Sequence, residues 1–180
     1  FCTGGQKFIL QIVATAEFGD STPPTMAITS STVSDGDVSN DSSIALTFTS
    51  SEATTDFAVS DISISGGSLS NFAASSSTVY TATFTPSGDG ATTIDVNANA
   101  FTDAAANGNT AASQFNWTYD GTAPTLNTIS LVSNNATTTL AKADDIVTLQ
   151  FTAVETIQTP TVVFKSDGVS VQDSSITYEN

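Results

Sequence analysis

Residues 44–50 read IALTFTS, with Ile44, Leu46 and Phe48 alternating against Ala45, Thr47 and Thr49. Side chains on an extended chain point to opposite faces in turn, so this stretch reads as a strand with one apolar and one solvated face. The same period recurs in Tyr80, Ala82 and Phe84 against Thr81, Thr83 and Thr85. It returns in Ile94, Val96 and Ala98 against Asp95, Asn97 and Asn99, and in Phe115, Trp117 and Tyr119 against Asn116 and Thr118. Thr and Ser suit the wet face of such strands, where β-branching helps and a hydroxyl stays hydrated. No window holds a helical period, so the chain is expected to be all-β.

Seven strand candidates lie between residues 20 and 119, at about 25–31, 43–50, 57–64, 68–73, 78–85, 91–98 and 113–119. Seven short strands separated by turn-forming stretches predict an immunoglobulin-like β-sandwich. The third candidate changes phase between Phe57/Val59 and Ile62/Ile64, which predicts a β-bulge near Ser60-Asp61. A Cys pair is missing and Trp117 falls in the last strand, so packing alone must join the sheets.

Composition narrows the chemistry. The chain has 180 residues, 39% of them hydrophobic, three Lys (Lys7, Lys142, Lys165), no Arg, no His and 18 acids, for a formal charge of −15. That charge argues against nucleic acid and against an anionic membrane surface, and it allows a divalent cation held by carboxylates. Without His there is no Ser-His-Asp triad and no imidazole zinc ligand. The one thiol, Cys2, permits no internal disulfide; it is either inert or available for a bridge to another chain. Residues 7–16, KFILQIVATA, faintly resemble a secretory signal but are interrupted by Gln11 and read better as a strand. No stretch is apolar over the length of a membrane span. No catalytic constellation can be read, so a non-enzymatic protein is expected.

The hexapeptide DSTPPT at 20–25 returns as DGTAPT at 120–125. Leu46-Thr-Phe-Thr-Ser-Ser-Glu52 likewise returns as Leu149-Gln-Phe-Thr-Ala-Val-Glu155, after a small insertion. These repeats predict a complete domain over 20–119 and a second, incomplete copy over 120–180, with strands near 126–132, 146–153, 161–165 and 175–178. Residues 1–19 then hold a separate strand, with Phe8, Leu10 and Ile12 on one face. Two accounts of it stand: the last strand of a preceding domain in a tandem array, or a strand that completes the half-domain of an identical subunit.

Together, Asp-x-Thr-x-Pro-Thr, Leu-x-Phe-Thr-x-x-Glu, Gly67-Ser-Leu-Ser-Asn-Phe72, Tyr80-Thr-Ala-Thr-Phe-Thr-Pro86 and Phe101-Thr-Asp-Ala-Ala-Ala-Asn107 resemble the bacterial Ig-like tandem repeats of large secreted and cell-surface adhesins and marine microbial surface proteins. The resemblance covers 20–119 well and 120–165 in part. It departs at Ala106, where the family usually carries Gly, so that turn is expected to differ locally. It implies an extracellular or cell-surface location and neighbouring Ig-like repeats or identical subunits as partners.

Strand directions in such a sandwich bring Asp20, Glu52 and Asp103 to one pole, with Asn107 nearby, and Asp120 and Glu155 to the head of the second copy. Two readings of these acids stand side by side. They coordinate Ca²⁺, which takes carboxylate and carbonyl oxygens, and stiffen the joint as in calcium-rigidified adhesin arrays. Alternatively they serve turns and caps through side-chain to backbone bonds. Asn40, Asn116 and Asn135 begin glycosylation sequons, relevant only in a host that glycosylates. The expected function is a structural spacer and assembly unit of a filament, stalk or adhesin. The alternatives are a module that binds a surface glycan or host ligand, or an accessory domain of a secreted enzyme.

Overall fold

The computed structural model describes residues 19–142, 144–166 and 168–170. The chain divides into two compact units between Thr122 and Ala123. The first holds β1 (Met26–Ser30), β2 (Val38–Ser39), β3 (Ile44–Ser50), β4 (Ile62–Ser65), β5 (Gly67–Ala74), β6 (Val79–Pro86), β7 (Gly90–Val96) and β8 (Phe115–Tyr119). One sheet runs β1-β3-β6-β5 and the other β2-β8-β7-β4. All pairings are antiparallel except that of β2 with β8. This is an immunoglobulin-like sandwich, as its alternating strands predict.

The alternation decides which side chains meet between the sheets. Ile44, Leu46 and Phe48 of β3 stand opposite Phe84, Ala82 and Tyr80 of β6, and all six are buried. From the other sheet come Ile62, Ile94, Val96, Phe115 and Trp117. Each fully buried Phe or Leu side chain is worth about 1.5–3 kcal/mol. Trp117 faces Thr92, a small neighbour whose Oγ1 donates to the Trp117 carbonyl at 2.7 Å. The indole Nε1 donates to Ser39 Oγ at 3.0 Å. Among the described residues no buried side-chain nitrogen or oxygen lacks a hydrogen-bond partner.

Two local features differ from the sequence expectation. The phase change after Phe57 is not a β-bulge but a single 3₁₀ turn, Val59–Asp61, closed by the Ala58 N–H donating to Asp61 Oδ2 at 2.8 Å. The turn leaves Phe57 in a loop, yet buries it among Phe48, Phe72, Tyr80 and Phe101, with ring centroids 5.0–5.8 Å away. The second feature is β2, which has two residues and no period to betray it. It is held from the neighbouring strand by the Thr118 N–H on Asp37 O and the Asp120 N–H on Ser39 O.

In the second unit β9 (Leu126–Ser133) pairs with β10 (Val147–Ala153), and β11 (Lys165–Ser166) forms a hairpin with β12 (Val169–Ser170). The β9–β10 pairing reproduces that of β1 with β3. Leu126 faces Ala153 as Met26 faces Ser50, and Ile129 faces Phe151 as Ile28 faces Phe48. Between those two pairs β9 carries a bulge at Asn127, which accounts for one residue of the insertion. Leu149 and Phe151 are only half-buried and Ile129 is 66% exposed, whereas Leu46 and Phe48 in the first unit are sealed. The strand expected at 161–165 forms only at Lys165, because residues 161–164 have no ladder partner among the described residues. The expected strands at 7–18, with Phe8, Leu10 and Ile12, and at 175–178 lie outside the described residues.

Candidate functional site

Three separate segments of the first unit converge at its N-terminal pole. Asp20 lies in the stretch before β1, Glu52 just after β3, and Asp103 in the loop between β7 and β8. One carboxylate oxygen from each lies within 4.8 Å of the others. Asp103 is buried, Glu52 half-buried and Asp20 exposed.

Backbone bonds fix the convergence. The Ser51 N–H donates to Thr25 O at 2.9 Å and the Thr110 N–H to Pro24 O at 2.9 Å, so the segment before β1 is tied to both flanking loops. Asp20 folds its own turn by accepting the Thr22 N–H at 2.9 Å. Asp103 Oδ1 accepts the N–H groups of Ala105 and Asn107, both at 2.8 Å. Asn107 presents a donor: its Nδ2 reaches Asp103 Oδ2 at 2.8 Å and the Asp20 carbonyl at 3.1 Å. It therefore ties the Asp103 carboxylate to the backbone of the Asp20 segment.

The electrostatics of the acids differ. The Asn107 amide, aided by the backbone N–H groups of its turn, lowers the Asp103 carboxyl below its usual value despite partial burial. Glu52 is raised, first by partial burial and then by the negative charges of Asp20 and Asp103. One carboxylate is thus held ionised by donors and another is held against repulsion, which is the charge pattern a divalent cation relieves.

The loop carrying Asp103 is shaped by residues the periodicity does not flag. Buried Asn109 accepts the Ala100 and Phe101 N–H groups on Oδ1 and donates from Nδ2 to Asn97 O and Thr110 O. Ala106 stands at φ 66°, in the left-handed region that Gly adopts freely. The turn therefore keeps a Gly-type conformation with Ala in place.

At the other pole the chain leaves the first unit through Asp120, Gly121 and Thr122. Asp120 repeats the turn of Asp20, accepting the Thr122 N–H at 3.2 Å. Asp89, in the β6–β7 turn, accepts the Gly121 N–H on Oδ1 at 2.7 Å and the Thr122 hydroxyl on Oδ2. The Thr122 hydroxyl and then the Gly121 N–H hold the Asp89 carboxyl below its usual value. A Cβ at position 121 would run into the outer end of the Tyr119 ring, which would have to shift. Asp89 carries no motif; its position opposite a second acidic turn shows only in three dimensions. Glu155 is exposed in the second unit, after β10.

The sequon asparagines fare differently. Asn40 and Asn116 are exposed, while half-buried Asn135 donates to Asp145 Oδ2 at 2.8 Å and accepts the Thr137 N–H. Trp117 and Phe115 are buried, so the aromatic alternation of β8 serves the core.

The model of the family described as bacterial Ig-like domain matches residues 20–119. No curated protein and no solved structure matches the chain.

Proposed function

The chain belongs to the bacterial Ig-like domain family, and from that premise we propose that it is a structural module, a stiff spacer in a long extracellular or cell-surface protein. Domains of this family are typically non-catalytic and are often extracellular. The observation that carries the proposal is the convergence of Asp20, Glu52 and Asp103 from three segments onto one point at the N-terminal pole. Their carboxylates would hold a hard divalent cation, for which Ca²⁺ is the natural choice, while Asn107 keeps Asp103 and the Asp20 segment in place. When bound, the cation cancels the repulsion among the three acids and fastens the segment ahead of β1 to the sandwich. At the opposite pole Asp89 performs the same task by hydrogen bonds alone.

The second unit fits the same role as a further Ig-like copy. The open apolar face around Ile129, Leu131 and Phe151 is where a facing sheet belongs, supplied by an Ig-like strand set of the same chain or a neighbouring subunit. Strand addition from residues 7–18 of an identical subunit is one such source. High negative charge keeps such arrays self-repelling and dispersed.

Calcium titration monitored by melting tests the proposal. Calcium in the millimolar range should raise the melting temperature of the first unit, and magnesium should do so less. An unchanged melting curve at saturating calcium would remove the cation from the account.

A further inference from the structure

Asn107 is followed by Gly108, and this is the chain's one Asn-Gly pair. Gly108 faces Thr102 as an isolated antiparallel bridge. The bonds that define the bridge lie on either side of that pair, from Asp103 N–H to Asn107 O at 3.2 Å and from Asn109 N–H to Phe101 O at 3.0 Å. The Gly108 N–H therefore has no hydrogen-bond partner among the described residues. A Cβ on residue 108 would meet the tip of the exposed Asn99 carboxamide, and Gly, having none, shields its own nitrogen least. Asn107 and Gly108 are both half-buried rather than sealed. Neighbouring Asn109 presents the opposite case: it is buried, its amide is engaged on both sides, and Thr110 follows it.

We propose that Asn107 is a site of spontaneous deamidation that unfastens the N-terminal pole of the first unit with age. The Gly108 nitrogen attacks Asn107 Cγ. The new C–N bond replaces the Cγ–Nδ2 bond, and Nδ2 leaves as ammonia, taking up the proton that the Gly108 nitrogen gives up. Water then opens the cyclic imide at either carbonyl, its hydroxyl going to carbon and its hydrogen to nitrogen, to give aspartate or isoaspartate. Water enters, ammonia departs and nothing is oxidised. The product has no Nδ2, so the contacts to Asp103 Oδ2 and to the Asp20 carbonyl become acceptor against acceptor. The isoaspartate product also lengthens the backbone within the turn that Asp103 closes.

The test is to age the folded chain at mildly alkaline pH and map its peptides by mass, with limited proteolysis across residues 19–25 as a second readout. The expected result is the mass gain of one amide-to-acid exchange at Asn107 ahead of Asn97, Asn99, Asn109 and Asn116, with isoaspartate present and faster cleavage before β1. Asn107→Gln keeps a donor amide and should abolish that gain. Asn107→Asp should show the faster cleavage without ageing. Conversion only after denaturation, or conversion at other asparagines while Asn107 stays intact, would overturn the proposal. Conversion at Asn107 with unchanged cleavage would overturn the unfastening.

Discussion

Asp56 accepts the Thr102 N–H on both carboxylate oxygens at 3.1 Å and the Thr102 hydroxyl on Oδ2 at 2.7 Å, across 46 residues of chain. Thr54 Oγ1 adds a bond to Oδ1 at 2.6 Å. This one side chain joins the loop after β3 to the loop that delivers Asp103. Asp56→Ala is expected to destabilise the first unit by about 1–2 kcal/mol, a value reduced for its exposure to solvent, as read from urea denaturation.

The pH dependence of Asp56 follows from its lowered pKa. Partial burial raises the carboxyl, and the bonds from Thr54 and Thr102 outweigh it. Its contribution is then complete above the unfolded value, about 3.9, and lost as pH falls through the lower folded value. The difference in stability between the parent and Asp56→Ala should therefore shrink on acidification below that value, and a difference independent of pH would contradict the assignment.

Ala106→Gly should stabilise the protein. The left-handed conformation at φ 66° costs a residue with a Cβ about 1–2 kcal/mol, and the added freedom of Gly in the unfolded chain returns part of that. A net gain of about 0.5–1 kcal/mol is expected from the denaturation midpoint at unchanged slope.

Glu52→Gln should act in opposite directions with and without cation. The raised Glu52 pKa means that the fold favours the protonated acid, so its penalty is absent below the unfolded pKa and grows as pH rises through the folded value. At neutral pH without calcium the variant should melt above the parent. With calcium it should lose the parent's gain, because one of three carboxylates is gone. A variant that melts below the parent without calcium would show that Glu52 is not strained by its neighbours.

Asp89→Ala should loosen the other pole and leave the calcium response untouched. Hydrogen exchange at the Gly121 amide should accelerate, since its acceptor at 2.7 Å is removed. Unaltered exchange would mean that Asp89 does not hold the chain there.

Period-two alternation made β1, β3 and β6–β8 legible, because each buries one face against a second sheet and its apolar members must recur every other residue. It could not reveal β2, whose two residues are held by the loop around Gly36 and by β8, with the Gly36 N–H on Asn116 O at 2.8 Å. It read the phase change after Phe57 as a bulge, since a 3₁₀ turn and a bulge both shift the period. At the N-terminal pole the sequence placed Asp20, Glu52 and Asp103 together through strand direction alone. The roles of Asp56, Asp89 and Asn109 stayed hidden because their partners are non-local or backbone. Asn107 was placed near the acids, but that its amide nitrogen donates to Asp103 is a direction no spacing encodes.

The most direct test is isothermal titration of calcium into the chain, paired with hydrogen exchange at residues 19–25. The account predicts saturable binding at the N-terminal pole, abolished by Asp103→Asn and by Glu52→Gln, with slower exchange across Thr22 and Thr25 once the cation is bound. Absent heat together with unchanged exchange at saturating calcium would contradict it.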